Sequence, residues 1–357
     1  MTRARRLRIA LVALVAAALA AAGWYGWWLL AGGLLQRSLD DWSRAERAAG
    51  GGVSVGALTL GGFPFSVRAE AREVAVSRSD GSGWRTPALT AEAPLWSVTA
   101  PRLRMSGVQE IRLPGGQQIT AAGGEGRLSL GGASGITLAR LALTEVAAQP
   151  AGPVIDRLEL SVELPARTPV NGTETGLTLA AAAEGVHLTA AEAAGLPLGP
   201  LVERLAFNAR LQGAPPSAAP ASLARWSQSG GSLLIDGAHL RWGAVSVDTS
   251  GALELDRDLQ PAGTLTTAVT GFGPAVEALA AAGWIRAKDV HTVKAVLTGL
   301  SPRGAGGGPP VARLPISLHD RFVHVGPFRL MPLPALVWLG DQRMPNQTTE
   351  AAPAIRQ

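Results

Sequence analysis

The chain of 357 residues contains no cysteine. That excludes a disulfide framework, thiolate catalysis, iron–sulfur clusters, cysteine-based zinc sites and a lipidated N-terminal cysteine. Charge is also scarce, at 17% of residues, against about a quarter in ordinary soluble domains. Lysine is nearly missing. Lys288 and Lys294 are the only two among 32 basic residues, so the positive charge is arginine and persists at any working pH. The net charge of +5 is concentrated at one end. Without Arg3, Arg5, Arg6 and Arg8, 28 basic residues face 27 acidic ones. A body so close to neutral lacks the clustered charge that neutralises several phosphates, and no nucleic-acid partner is expected.

Most catalytic and nucleotide signatures are missing as well. There is no phosphate-binding G-x-x-x-x-G-K-[ST], no G-x-G-x-x-G after a strand and no H-E-x-x-H. His187, His239, His291, His319 and His324 are scattered. His319 and His324 could meet on neighbouring strands, but isolated histidines are usually surface residues, so no metal site is assigned. Gly52–Gly56 matches G-x-S-x-G literally. A nucleophile elbow needs a strand, a sharp turn and a helix, whereas Ser54 lies in strand-like alternation. Asp256-Arg257-Asp258 falls where a hairpin turn is expected. No catalytic residue, cofactor or metal is therefore assigned, and the chain is not expected to be an enzyme.

What the chain does have is hydrophobic residues, 47% of the total, with 44 glycines and 25 prolines. That is enough for one large domain or two of ordinary size. No charged side chain occurs from Ile9 to Gln36. About 20 apolar residues cross the hydrocarbon layer as a helix. Residues 9–30 are thus expected to be an uncleaved transmembrane signal anchor, with the basic segment 1–8 cytoplasmic. Trp24, Tyr25, Trp27 and Trp28 would sit at the far membrane interface. The competing reading is a cleaved signal peptide at Ala20-Ala21-Ala22, but the apolar run continues beyond it. A helical stalk at 31–52 would then carry the body outside the cytoplasm.

From Val53 onward the hydrophobic period is two. Phe63, Phe65, Val67, Ala69 and Ala71 alternate with polar or turn residues, and the parity shifts at Val74 and Val76 as a bulge would cause. Similar runs recur, among them Leu158/Leu160/Val162/Leu164, Leu205/Phe207/Ala209/Leu211, Leu233/Ile235, Leu240/Trp242 and Leu253/Leu255. Pro114-Gly115-Gly116 and Asp236-Gly237 read as turns between them. Helical patterns are few: Ala190–Val202, Leu223–Gln228 and Gly273–Ile285. Gly213–Ser222 and Ser301–Pro310 look like linkers. The expected fold is mainly β: an N-terminal transmembrane helix, then a long curved antiparallel sheet with a few short helices. Its parts would be a β-rich segment 53–212, a second at 223–340 and a disordered tail at 341–357. So many strands with so few covering helices leave two outcomes. Either the sheet closes on itself or its apolar face lines a groove. The candidate groove residues are Phe63, Phe65, Val67, Leu233, Ile235, Trp242, Leu253 and Leu255. Basic–aromatic pairs at Arg225-Trp226 and Arg241-Trp242 are assigned to packing.

Several patches together resemble a known family. They are Gly61-Gly62-Phe63-Pro64-Phe65, Trp84–Leu89 with Ala93-Pro94-Leu95-Trp96, Trp226–Leu233 running to Leu240–Gly243, Gly251–Asp256 with Pro261–Leu265, and Leu314-Pro315-Ile316 to Val325–Phe328. The chain resembles the alphaproteobacterial "domain of unknown function 2125" family over nearly all of its length after the anchor. That family implies no assigned activity and no catalytic residues. The G-x-L-x-L-D…P-x-G-x-L pattern in the last third is similar to C-terminal regions of AsmA-like envelope proteins. This second resemblance implies an anchored, β-rich envelope protein linked to lipid transport and outer-membrane homeostasis. The function expected is an inner-membrane, single-pass protein with a periplasmic body. It would bind or help transport lipid or maintain the envelope, with membrane lipid and other envelope proteins as partners. The alternative is a structural or assembly scaffold without a lipid cavity.

Overall fold

The computed structural model describes residues 43–338, apart from 45, 49, 132–134, 195, 197, 218, 284–285, 300, 302–309, 327 and 337. The expected anchor at 9–30, its aromatic belt, most of the stalk, most of the Ser301–Pro310 linker and the tail at 341–357 lie outside the described residues. Among the described residues no helix is long and apolar enough to cross a membrane.

The described chain is mainly β and forms one large antiparallel sheet of eighteen strands with a few short helices. The strands are β1 (Gly52–Ser54), β2 (Leu58–Gly61), β3 (Ser66–Ser77), β4 (Gly83–Pro94), β5 (Arg102–Ser106) and β6 (Gln109–Arg112). Next come β7 (Gln118–Ala121), β8 (Gly123–Leu130), β9 (Ile136–Gln149), β10 (Val154–Glu163), β11 (Thr175–His187) and β12 (Leu201–Gln212). The last are β13 (Leu233–Trp242), β14 (Val245–Leu255), β15 (Pro261–Thr270), β16 (Ala312–His319), β17 (Phe322–Val325) and β18 (Phe328–Pro332). The helices are α1 (Ala190–Ala193), α2 (Pro220–Gln228), α3 (Phe272–Ala281) and α4 (Val290–Gly299), with a 3-10 turn at Ala287–Asp289.

The topology is a meander. Both β1 and β2 pair with β3, β5 and β6 lie end to end on β4, and β8 and β7 lie end to end on β9. Joining those three interrupted strands gives fifteen ranks, each paired only with its neighbours in the chain. At about 4.8 Å between strands the sheet extends on the order of 65 Å across them. The two β-rich parts belong to this one sheet, because β12 pairs with β13 across the 213–222 connection.

Local sequence accounts for most of the elements. In β3 the apolar residues Val67, Ala69 and Ala71 are buried while Arg68, Glu70 and Arg72 are exposed. Glu73 then takes φ 53°, which restores Val74 to the buried face. Glu145 does the same in β9 at φ 49°, returning Val146 to the face of Leu143. Neither is the inserted residue of a bulge: the register with the neighbouring strands runs on unshifted through both, and each is a single left-handed residue. Pro220 opens α2 at its first turn, where the missing N–H costs nothing. The helix buries Leu223 and Trp226.

Four local expectations are corrected. The alternation counted from Phe63 does not begin there. Gly62–Phe65 turns the chain, with Gly62 at φ 96° and Ser66 N–H donating to the Gly62 carbonyl, so β3 starts at Ser66. Asp236-Gly237 is not a turn but a bulge inside β13, where the register shifts between Ile235 and Ala238. The helix expected over Ala190–Val202 is one turn only, held by a Thr189/Glu192 capping box, and β12 begins at Leu201. Finally, α4 has no counterpart among the expected helices; with no buried residue, it presents a weak apolar stripe.

Candidate functional site

Following the register from strand to strand places one set of side chains on a single face. From Ala71 the row runs through Leu89, Met105, Gly124, Leu143, Leu158, Ala183, Leu205, Leu240, Val247 and Val269 to Ala312. The row beside it runs from Ala69 through Leu141, Leu160, Ala181 and Phe207 to Ala238. No charged side chain interrupts either row. Glycines and alanines at Gly124, Gly126, Ala181 and Ala183 keep the middle of the face low.

Coverage of this face is uneven. At the first strands Met105, Ala121, Leu143 and Val146 form a buried cluster, with Trp84, Leu89, Ile111, Ile119 and Leu158 packed against it. At β12–β16 both strand ends are capped. On one side Trp226 donates its indole N–H to the Gln212 carbonyl at 2.7 Å, and Ser227 donates to the Leu255 carbonyl. There Gln260 also exchanges hydrogen bonds with the Leu336 backbone, and Trp338 donates to Leu259. On the other side Phe272, Ala275 and Val276 of α3 are buried. Lys294 of α4 pairs with Glu277 of α3. Between these zones the face is open: Leu160 is 38% exposed, Val162 37% and Leu205 41%.

The candidate groove residues fall as follows. Val67 and Ile235 are buried on the apolar face. Leu233, Trp242, Leu253 and Leu255 lie on the same face and are half-buried. Trp242 also donates its indole N–H to the Gly199 carbonyl. Phe63 and Phe65 are 50% and 67% exposed in the turn before β3, not on the strand. The register thus brings six of the eight to one face. The open centre at Leu160, Val162 and Leu205 was absent from that set, although the alternation of β10 and β12 contained it. Trp24, Tyr25, Trp27 and Trp28 lie outside the described residues.

The opposite face is polar. Glu92 accepts from Arg68 and Ser66, and those bonds hold its carboxyl below the usual carboxylate range. Asp236 is held low by Arg210, which grips it through Nε and Nη2 at 2.8 and 2.6 Å. His319 and His324 do meet on neighbouring strands, with rings stacked at 3.9 Å. Arg329 lies over Phe322 beside them. Among the described residues no three His, Asp or Glu side chains gather as a metal site would need. Ser54 ends β1 opposite Ala75 and is exposed. Asp256 caps the β14–β15 turn by accepting from the Asp258 and Gln260 amides.

Fold and site together define an all-antiparallel sheet protein with one continuous apolar face and one charged face. The chain belongs to the family described as "Uncharacterized protein conserved in bacteria (DUF2125)", whose model matches residues 28–334. No curated protein and no solved structure matches it.

Proposed function

We propose that this is an inner-membrane-anchored protein with a periplasmic body whose apolar sheet face receives lipid acyl chains. It would bind lipid, help move it, or maintain the envelope. The observation that carries the reading is the open centre of the apolar face, where Leu160, Val162 and Leu205 stay exposed between capped ends. Leaving such leucines in water forfeits about 0.8 kcal/mol per buried methylene, which an acyl chain laid along the face would recover. A right-handed twist of about 20–25° per strand, accumulated over so many strands, coils an open sheet. Coiling would make the face a groove. The uncharged stretch from Ile9 to Gln36 supports the membrane address. The likeness of the last third to AsmA-like envelope proteins agrees with a lipid ligand.

The test is site-specific photo-crosslinking in membranes. Benzophenone side chains at Leu160 and Leu205 should label phospholipid, and the same probe at Glu254 and Thr264, exposed on the other face, should not. Equal labelling from both faces would end the groove reading. Capture of envelope proteins with no lipid label from either face would favour a scaffold instead.

A further inference from the structure

The polar face carries a feature that near-neutral net charge conceals. Arg102 lies directly opposite Arg127, and Arg127 directly opposite Arg140, on the adjacent strands β5, β8 and β9. All three side chains are exposed, and none has a hydrogen bond or ion pair among the described residues. Like charges directly opposite across strands destabilise a sheet. Glu92 stands directly opposite Arg102 on β4, but its carboxylate is held by Arg68. Glu159 is held by Arg157, and Glu125 faces Arg104 at 3.9 Å.

The three arginines line one open cleft of about 680 Å³, within the size range of small-ligand sites. Its floor is small, with Ala142, Ala180, Ala182 and Ala206 beside Ser161 and Asn208, and its charged lining is five arginines, Arg104 and Arg204 being the other two, against Glu92, Glu125 and Glu159. We infer that this cleft binds a phosphate group, bridged by Arg102, Arg127 and Arg140. Cross-strand neighbours stand about 5 Å apart, so one tetrahedral oxyanion fits between two guanidinium forks and satisfies both. The site is on the face opposite the apolar rows and does not depend on the acyl-chain reading.

The phosphate could be free or part of a lipid headgroup, and two probes separate these sources. The full chain in detergent is titrated with inorganic phosphate, and separately with monomeric dihexanoylphosphatidylglycerol, at ionic strength held constant with chloride. The thermal midpoint is read for wild type, Arg127→Gln, Arg140→Gln and a remote control, Arg286→Gln. A rise with inorganic phosphate that Arg127→Gln weakens about tenfold or more marks free phosphate. A rise with the short-chain lipid alone, lost in the same variants, marks a headgroup. Without anion, Arg127→Gln should melt at or above wild type, because it removes repulsion. The inference is overturned if neither probe shifts the midpoint beyond chloride. It also fails if the shift survives in Arg127→Gln and Arg140→Gln, or if these variants melt lower than wild type without anion and respond to anion unchanged.

Discussion

Replacing Leu205 and Leu143 by alanine, one at a time, measures how open the apolar face is. Both leucines lie in the same cross-strand row, on β12 and β9. Leu143 is 3% exposed and Leu205 is 41% exposed. Truncating leucine to alanine removes about three methylene equivalents, or about 2.4 kcal/mol of transfer free energy when burial is complete. At Leu143 nearly all of that is lost, and the cluster of Met105, Ala121 and Val146 around it leaves a cavity. The total should be about 3–4 kcal/mol, inside the range found for buried leucines. At Leu205 only the buried fraction counts, about 1.4 kcal/mol, and solvent fills the space so no cavity cost is added. Urea unfolding of the full chain in detergent, followed by tryptophan fluorescence, gives both values. Equal losses for the two substitutions would refute the reasoning, because Leu205 would then be covered as completely as Leu143.

Other substitutions test the supports of the face. Gly271→Ala should lower the thermal midpoint strongly: Gly271 has φ 70°, and an added Cβ would run into the Ala244 carbonyl. The backbone conformation alone costs about 1–2 kcal/mol for a non-glycine residue. Trp226→Phe keeps an aromatic ring but orphans the Gln212 carbonyl, so chemical denaturation should show a loss of about 1–2 kcal/mol. Acidification should also destabilise the fold. Arg68 and Ser66 lower the folded-state pKa of Glu92, and Arg210 lowers that of Asp236. A depressed folded value gives stability that is complete above the unfolded values, about pH 4.5, and lost as pH falls through the folded ones. In a pH series of thermal melts, Arg210→Gln should flatten part of that acid slope.

The period-two pattern carried the fold class, because a half-buried antiparallel strand must alternate. It also located the break at Glu73 through the parity shift at Val74 and Val76, but the cause is one left-handed residue and not the extra residue of a bulge, because the register with β4 is unshifted. Elsewhere pattern was weaker than context. Ala180–Ala183 in β11 has helix-favouring composition and no alternation, yet β10 and β12 pair with it on both sides and hold it extended. Asp236-Gly237 has hairpin chemistry, but the strand continues through it as a bulge. Phe63 and Phe65 share the parity of Val67, and the intervening turn removes them from the strand. The arginine row was hidden for a different reason. Arg102, Arg127 and Arg140 are far apart in sequence, and only the register of β5, β8 and β9 makes them neighbours. Net charge averages such a row away.

The most direct test of an acyl-binding face is native mass spectrometry of the full chain extracted in mild detergent. Wild type should carry adducts at phospholipid mass, depleted by Leu160→Arg with Leu205→Arg and retained in Thr264→Arg. A spectrum with only the bare protein mass, or adducts unchanged by charge at Leu160 and Leu205, would contradict it.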